Sequence, residues 1–120
     1  MLIYVVDDHE LMRDATMTFI RRLKKTARIS GFSNFEEFVR AVEVRGAPDV
    51  LLLDLKLPRI RDCEGVRRAR DCCPGTKIAV YSASPALERE MECIGSGADI
   101  YIEKINAAGS FAVALKDFLG

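Results

Sequence analysis

Two hydrophobic periods alternate five times along this chain, and that alternation restricts it to a small set of folds. The segments "LIYVV" (2–6), "RISGF" (28–32), "APDVLLLD" (47–54), "KIAVYS" (77–82) and "ADIYIEK" (98–104) are short runs of strand length. After each of them, apolar residues recur at helical spacing. Leu11, Ala15, Phe19 and Leu23, widened by Met12 and Ile20, predict the inner stripe of a first helix. Ser33 and Asn34 offer caps for a second, with Glu36 or Glu37 closing a capping box ahead of Phe35, Phe38, Val39 and Val42. Val66, Ala69 and Cys73 face inward on a third. Ser84 and Pro85 mark the start of a fourth, whose buried stripe is expected to be Leu87, Met91 and Ile94. Phe111, Leu115 and Phe118 belong to the last.

Strands alternating with helices in this way imply an α/β domain with a mostly parallel sheet covered on both faces. The runs at 2–6, 50–53 and 78–81 are the most uniformly apolar and should be central, whereas those at 28–32 and 98–103 admit polar residues and suit edges. With the first strand in the middle and the second at an edge, the order is 2-1-3-4-5. Such a sheet binds its ligand at the carboxyl ends of strands one and three.

A chain of 120 residues fits one domain, expected to span 1–120, that is stable without disulfides or a structural metal. Its formal charge is zero, which removes the usual electrostatic reason for nucleic acid or anionic lipid as a default partner. The basic clusters "RRLKK" and "RRAR" fall opposite the apolar stripes and read as solvated surface. The opening "MLIYVV" meets two acids too soon for a signal peptide or a span, so a cytosolic, membrane-free protein is expected. Cys63, Cys72, Cys73 and Cys93 lack paired C-x-x-C spacing and read as reduced, partly buried residues rather than zinc ligands.

The predicted ligand edge carries polar residues from four strand ends. Asp7 and Asp8 close the first strand, Asp54 the third and Ser82 the fourth, and the fifth runs into Lys104. Two like charges about 4 Å apart repel by roughly 4 kcal/mol at an effective dielectric near 20, so clustered carboxylates must take up a proton or hold a cation. An all-oxygen set with room for water and phosphate suits Mg²⁺, which favours phosphoryl chemistry by neutralising charge on the transferring group. Capping of the first helix is the plainer role for Asp7, but it leaves the pair and Asp54 unexplained. His9 beside the acids reads as structural, and Tyr101 read from the residues alone is equally an edge-strand aromatic.

Together, "DDH" at 7–9, "LLLDLKLP" around Asp54, "VYSAS" around Ser82 and "GADIYIEK" ending in Lys104 resemble the receiver domains of two-component response regulators. The resemblance covers the whole chain and implies a flavodoxin-like (βα)5 three-layer sandwich. It implies that Asp54 takes a phosphoryl group from a histidine kinase or histidine phosphotransfer protein, forming an acyl phosphate. It also implies Mg²⁺ held by Asp8, Asp54 and the backbone carbonyl of Lys56, with Asp7 acting mainly through water. Lys104 would pair with Asp54 and then with a phosphoryl oxygen, Ser82 would donate to another, and Tyr101 would turn inward with Ser82 as a switch. The face of the fourth helix, fifth strand and fifth helix would then receive a partner or a second protomer. "DDHELMR" is similar to receivers that precede helix-turn-helix domains, which favours a DNA-binding output domain outside this chain over a stand-alone receiver.

Three positions depart from the family pattern. Ile105 follows Lys104 where receivers usually carry a cis-proline, so either a strained cis bond persists or the loop runs trans. Arg61 and Asp62 replace the usual acidic or amide residue and glycine, leaving Gly65 as the next glycine and implying a reshaped loop from 58 to 64. Lys56 projects an ammonium near the site. It also occupies the position where a haloacid-dehalogenase-like phosphatase needs its second aspartate. A G-x-G-x-x-G loop and a Ser/Thr/Gly-rich phosphate loop are both absent after the first strand. The alternative that remains is a degenerate receiver acting as a phosphorylation-independent interaction module.

Overall fold

The structure, a computed structural model, describes residues 1–84, 86–104 and 110–120. Five strands, β1 (Leu2–Val6), β2 (Arg28–Phe32), β3 (Val50–Asp54), β4 (Lys77–Ser82) and β5 (Ile100–Glu103), alternate with α1 (Glu10–Leu23), α2 (Phe35–Arg45), α3 (Asp62–Cys72), α4 (Ala86–Gly95) and α5 (Ser110–Leu119). All pairings are parallel and the order is β2-β1-β3-β4-β5, as the hydrophobic runs predict. Every residue of β3 is buried, because a central strand here is covered on both faces, while β2 at the edge buries only Phe32 fully.

Two apolar layers sandwich the sheet. Tyr4, Val6, Leu51, Leu53, Ile78 and Val80 pack with Phe35 and Phe38 of α2, Val66 and Ala69 of α3 and Cys93 of α4. Ile3, Val5, Leu52, Ala79, Tyr81 and Ile102 pack on the other side with Ile20 of α1 and with Leu115 and Phe118 of α5. The register sets the ligand edge. Val6 lies beside Leu53, Asp54 beside Tyr81, and Ser82 beside Glu103, so the residues that follow these pairs emerge together.

The second helix starts as its sequence predicts: Asn34 Oδ1 accepts the Glu37 N–H at 2.9 Å, and Glu37 Oε1 accepts the Ser33 N–H at 2.9 Å. Two helix faces differ from expectation. On α1, Leu11 is 87% exposed and Ala15 is exposed, while Thr16 and Ile20 are buried, so the inner stripe lies one residue further round. On α4 the stripe expected to be buried is exposed, Leu87 at 99%, Met91 at 90% and Ile94 at 41%, and Cys93 turns inward instead. A small side chain lets α4 approach α3, where Cys63 Sγ lies 3.3 Å from Cys93 Sγ. All four cysteines are free thiols; Cys72, expected to be partly buried, is exposed because it sits at the solvent side of the α3 terminus.

Gly97, at φ +124°, lies under Arg70, and a Cβ there would come within 2.9 Å of the Arg70 side chain. The guanidinium uses that approach to donate twice to the Gly97 carbonyl and once to that of Thr76, tying the start of β4 to the turn after α4. In the loop after β3 the left-handed conformation falls on Arg59 at φ 67°, a position glycine would occupy without strain. The expectations for the Lys104–Ile105 bond and for Pro85 lie outside the described residues. Among the described residues, no helix is long and apolar enough to cross a membrane.

Candidate functional site

The carboxyl edge of the sheet gathers Asp7, Asp8, His9 and Asp54, whose potential ligand atoms all lie within 4.8 Å of one another. Asp7 and Asp54 are buried, at 0% and 2% exposure, because Asp54 ends the central strand β3 and Asp7 directly follows its neighbour β1. Lys104 comes to both from the end of β5: its Nζ lies 3.2 Å from Asp7 Oδ2 and 3.2 Å from Asp54 Oδ2. The ammonium is held there by the Lys104 N–H donating to the Ser82 carbonyl at 2.7 Å and by the face of the Tyr81 ring, 4.6 Å from Nζ.

Burial raises the Asp54 carboxyl to about 6, against the attraction of Lys104 and the Lys56 N–H that donates to Oδ1 at 3.1 Å. The neighbouring Asp7 charge pushes it in the same direction as burial. Burial also opposes ionisation of Asp7. There it is outweighed by the His9 N–H at 2.9 Å, the Tyr81 hydroxyl at 2.8 Å and the Lys104 charge, which together hold that carboxyl below the ordinary range. The two buried acids are thus driven apart: Asp7 is fixed as an anion and Asp54 is left basic. Asp54 Oδ2 is buried and accepts no hydrogen bond, although Lys104 lies close. An orphaned carboxylate oxygen among further acids is a donor set that a hard divalent cation completes. The residues therefore fit Mg²⁺, with Asp8, partly exposed at 33%, open to the cleft lined by Lys56, Pro58 and Arg61.

Asp7 does not cap α1. The N-cap is His9, whose side chain makes no cap bond, and Asp7 closes the turn before it. Ser82 is fully buried, its Oγ accepting the Ser84 N–H at 3.1 Å. Tyr101 is 8% exposed, packed against the α4 layer, and its hydroxyl donates to the Ser84 carbonyl at 2.7 Å. Lys56 is exposed and contributes its backbone to the site. Reading the residues in sequence missed two others. Tyr81 holds Asp7 and supports Lys104, but an aromatic in "IAVYS" looks like core. Arg13 Nη1 donates to the Asp7 carbonyl at 2.8 Å, a side chain of the first helical turn reaching back to the strand end, which periodicity does not signal.

Comparison with known proteins places this geometry in context. A family model described as the response regulator receiver domain matches residues 3–116. The nitrate/nitrite response regulator protein NarL of Escherichia coli (strain K12) is 28% identical over 102 residues, covering 85% of this chain and 47% of its own length. The transcriptional regulatory protein DegU of Brevibacillus brevis is 25% identical over 114 residues, covering 95% of this chain and 48% of its own. The chain thus spans about half the length of these relatives. A solved receiver domain protein (CheY-like) from Methanospirillum hungatei JF-1 superposes with a TM-score of 0.81 at 24% identity over 98% of this chain and 92% of that one, which shows a shared fold.

Proposed function

The chain belongs to the response regulator receiver domain family, and from that premise we propose that it accepts a phosphoryl group on Asp54 from a phosphohistidine of a histidine kinase or phosphotransfer protein. The observation that carries this reading is the buried, basic Asp54, with Oδ2 free of hydrogen bonds, facing Asp7, Asp8 and Lys104.

Asp8, Asp54 and the Lys56 backbone carbonyl would hold Mg²⁺, and Asp7 would act through water. That ion supplies charge neutralisation on the transferring phosphoryl group. The Asp54 carboxylate attacks phosphorus in line as the phosphorus–nitrogen bond breaks, and the departing imidazole keeps the electron pair and takes a proton. Burial helps, since a carboxylate stripped of water is a stronger nucleophile than an exposed one. Lys104 then exchanges its contact with Asp54 for a phosphoryl oxygen. The exchange leaves Asp7 satisfied, because the Tyr81 hydroxyl stays on Asp7 Oδ2. Ser82 donates to another phosphoryl oxygen, at the cost of the Oγ contact with Ser84.

Moving Ser82 alters the 82–84 turn, whose Ser84 carbonyl receives the Tyr101 hydroxyl. Tyr101 therefore carries the change to α4 and β5. Exposed Leu87 and Met91 on α4 and Val113 on α5 give that side apolar surface to offer a partner, a second protomer or an output domain beyond this chain. The test is a titration with beryllofluoride and Mg²⁺ followed by amide NMR. Shifts at Asp54, Ser82, Tyr101 and α4 that vanish in Asp54→Asn support the reading; shifts confined to the loops after β1 and β3 refute the switch.

A further inference from the structure

His9 is the one member of the cluster to which neither the Mg²⁺ reading nor the phosphoryl chemistry gives a task. Its imidazole is 67% exposed, yet Nδ1 turns back into the pocket, 3.2 Å from Asp7 Oδ1, 3.3 Å from Asp8 Oδ1 and 3.9 Å from Asp54 Oδ2. In an octahedron with metal–ligand distances of about 2.1 Å, adjacent donors lie about 3 Å apart and opposite donors about 4.2 Å. The 3.3 Å from Nδ1 to Asp8 is near the adjacent spacing and the 3.9 Å to Asp54 near the opposite one, each within about 0.3 Å. Independently, Asp54 Oδ2 is an acceptor at least nine-tenths buried, aimed into the pocket and without a hydrogen bond.

We propose that His9 Nδ1 is a direct ligand in this pocket, with Asp8 and Asp54, so that the site takes a borderline transition-metal ion such as Co²⁺ in preference to Mg²⁺. The proposal rests on the reading above that a cation sits between Asp8 and Asp54, and adds the donor that decides which cation. Oxygen-only pockets suit Mg²⁺, whereas an imidazole nitrogen adds little for Mg²⁺ and strengthens binding along the series from Mn²⁺ to Cu²⁺. The backbone helps to aim the ring: the His9 N–H is fixed on Asp7 Oδ1, and His9 O accepts the first α1 bond from Arg13. Nδ1 must be unprotonated to ligate, leaving Nε2–H directed to solvent.

Binding of CoCl₂ and of MgCl₂ to the untagged chain is measured by calorimetry, for the native protein and for His9→Ala and His9→Gln. Proton NMR of the Co²⁺ form accompanies it. The chain has a single histidine, so a hyperfine-shifted, exchangeable imidazole N–H resonance has one source. The proposal expects that resonance in the native protein and its absence in both variants. It also expects Co²⁺ affinity to fall about tenfold or more on substitution, with Mg²⁺ affinity changed by less than about threefold. Co²⁺ binding without the resonance, or equal losses for both ions, overturns the proposal and leaves the Mg²⁺ reading standing. Failure of the folded native protein to bind either ion overturns both.

Discussion

Replacing Asp54 by Asn should make the metal-free protein more stable, although it removes the proposed phosphoryl acceptor. In the unfolded chain this carboxyl has the ordinary value of 3.8, whereas in the fold burial holds it at about 6. Between these values the unfolded chain gives up the proton and the folded one keeps it, so stability falls as pH rises from about 4 to 6. Above about 6 the deficit is complete; below about 4 it is absent. Its size is about 3 kcal/mol, the gap between the two values at 1.36 kcal/mol per unit. The attraction of Lys104 is already contained in that balance, and at 2% exposure Asp54 gains little screening from solvent. Asn keeps the shape and the acceptor for the Lys56 N–H without the charge. Urea unfolding in chelator should show Asp54→Asn more stable than the native protein by up to about 3 kcal/mol at pH 7.5, or about 10 °C in Tm for a chain of this size. The gain should shrink towards zero at pH 4. Saturating Mg²⁺ should close the gap from the native side only. A variant no more stable at pH 7.5, or a gain that does not change with pH, would refute the claim that the site stores the cost of an ionised buried acid.

Three further outcomes follow from particular contacts. Tyr81→Phe removes the donor to buried Asp7 Oδ2 and should cost about 1.5–3 kcal/mol in urea unfolding, while NMR titration should show the Asp7 carboxyl moving up towards the ordinary range. Arg59→Gly relieves a left-handed backbone and should raise stability by about 1 kcal/mol, with no change in Mg²⁺ affinity by calorimetry. Leu87→Gln and Met91→Gln, at 99% and 90% exposure, should each change monomer stability by no more than about 0.5 kcal/mol; a loss of several times that would restore the buried stripe expected from their spacing.

The sheet was legible because central strands buried on both faces leave uninterrupted apolar runs, and β1, β3 and β4 are such strands. From the strand ends, Asp7, Asp8, Asp54 and, after β5, Lys104 could be placed at one edge by topology alone, and the structure clusters the three acids and brings Lys104 to Asp7 and Asp54. The helix faces were less legible. Periodicity shows that a helix has an apolar side, but the side that packs is chosen by fit, and here Thr16 and Cys93 turn inward in place of Leu11 and Met91. Spacing could not reveal Tyr81 either, since its role depends on the register that sets it beside Asp54 with its hydroxyl on Asp7. His9 reads as structural from sequence, and the structure makes it the N-cap residue of α1; what sequence does not give is the direction of its ring, with Nδ1 3.2 and 3.3 Å from Asp7 and Asp8.

The most direct measurement of the central claim is intact-mass detection of phosphorylation by a small acyl phosphate donor, with and without Mg²⁺, in the native chain and in Asp54→Asn. The account predicts a single phosphoryl adduct that requires Mg²⁺, is labile to hydroxylamine and is absent in the variant. A folded native protein that binds Mg²⁺ yet forms no adduct, or an adduct that persists in Asp54→Asn, would contradict it and leave a receiver that works without phosphorylation at this residue.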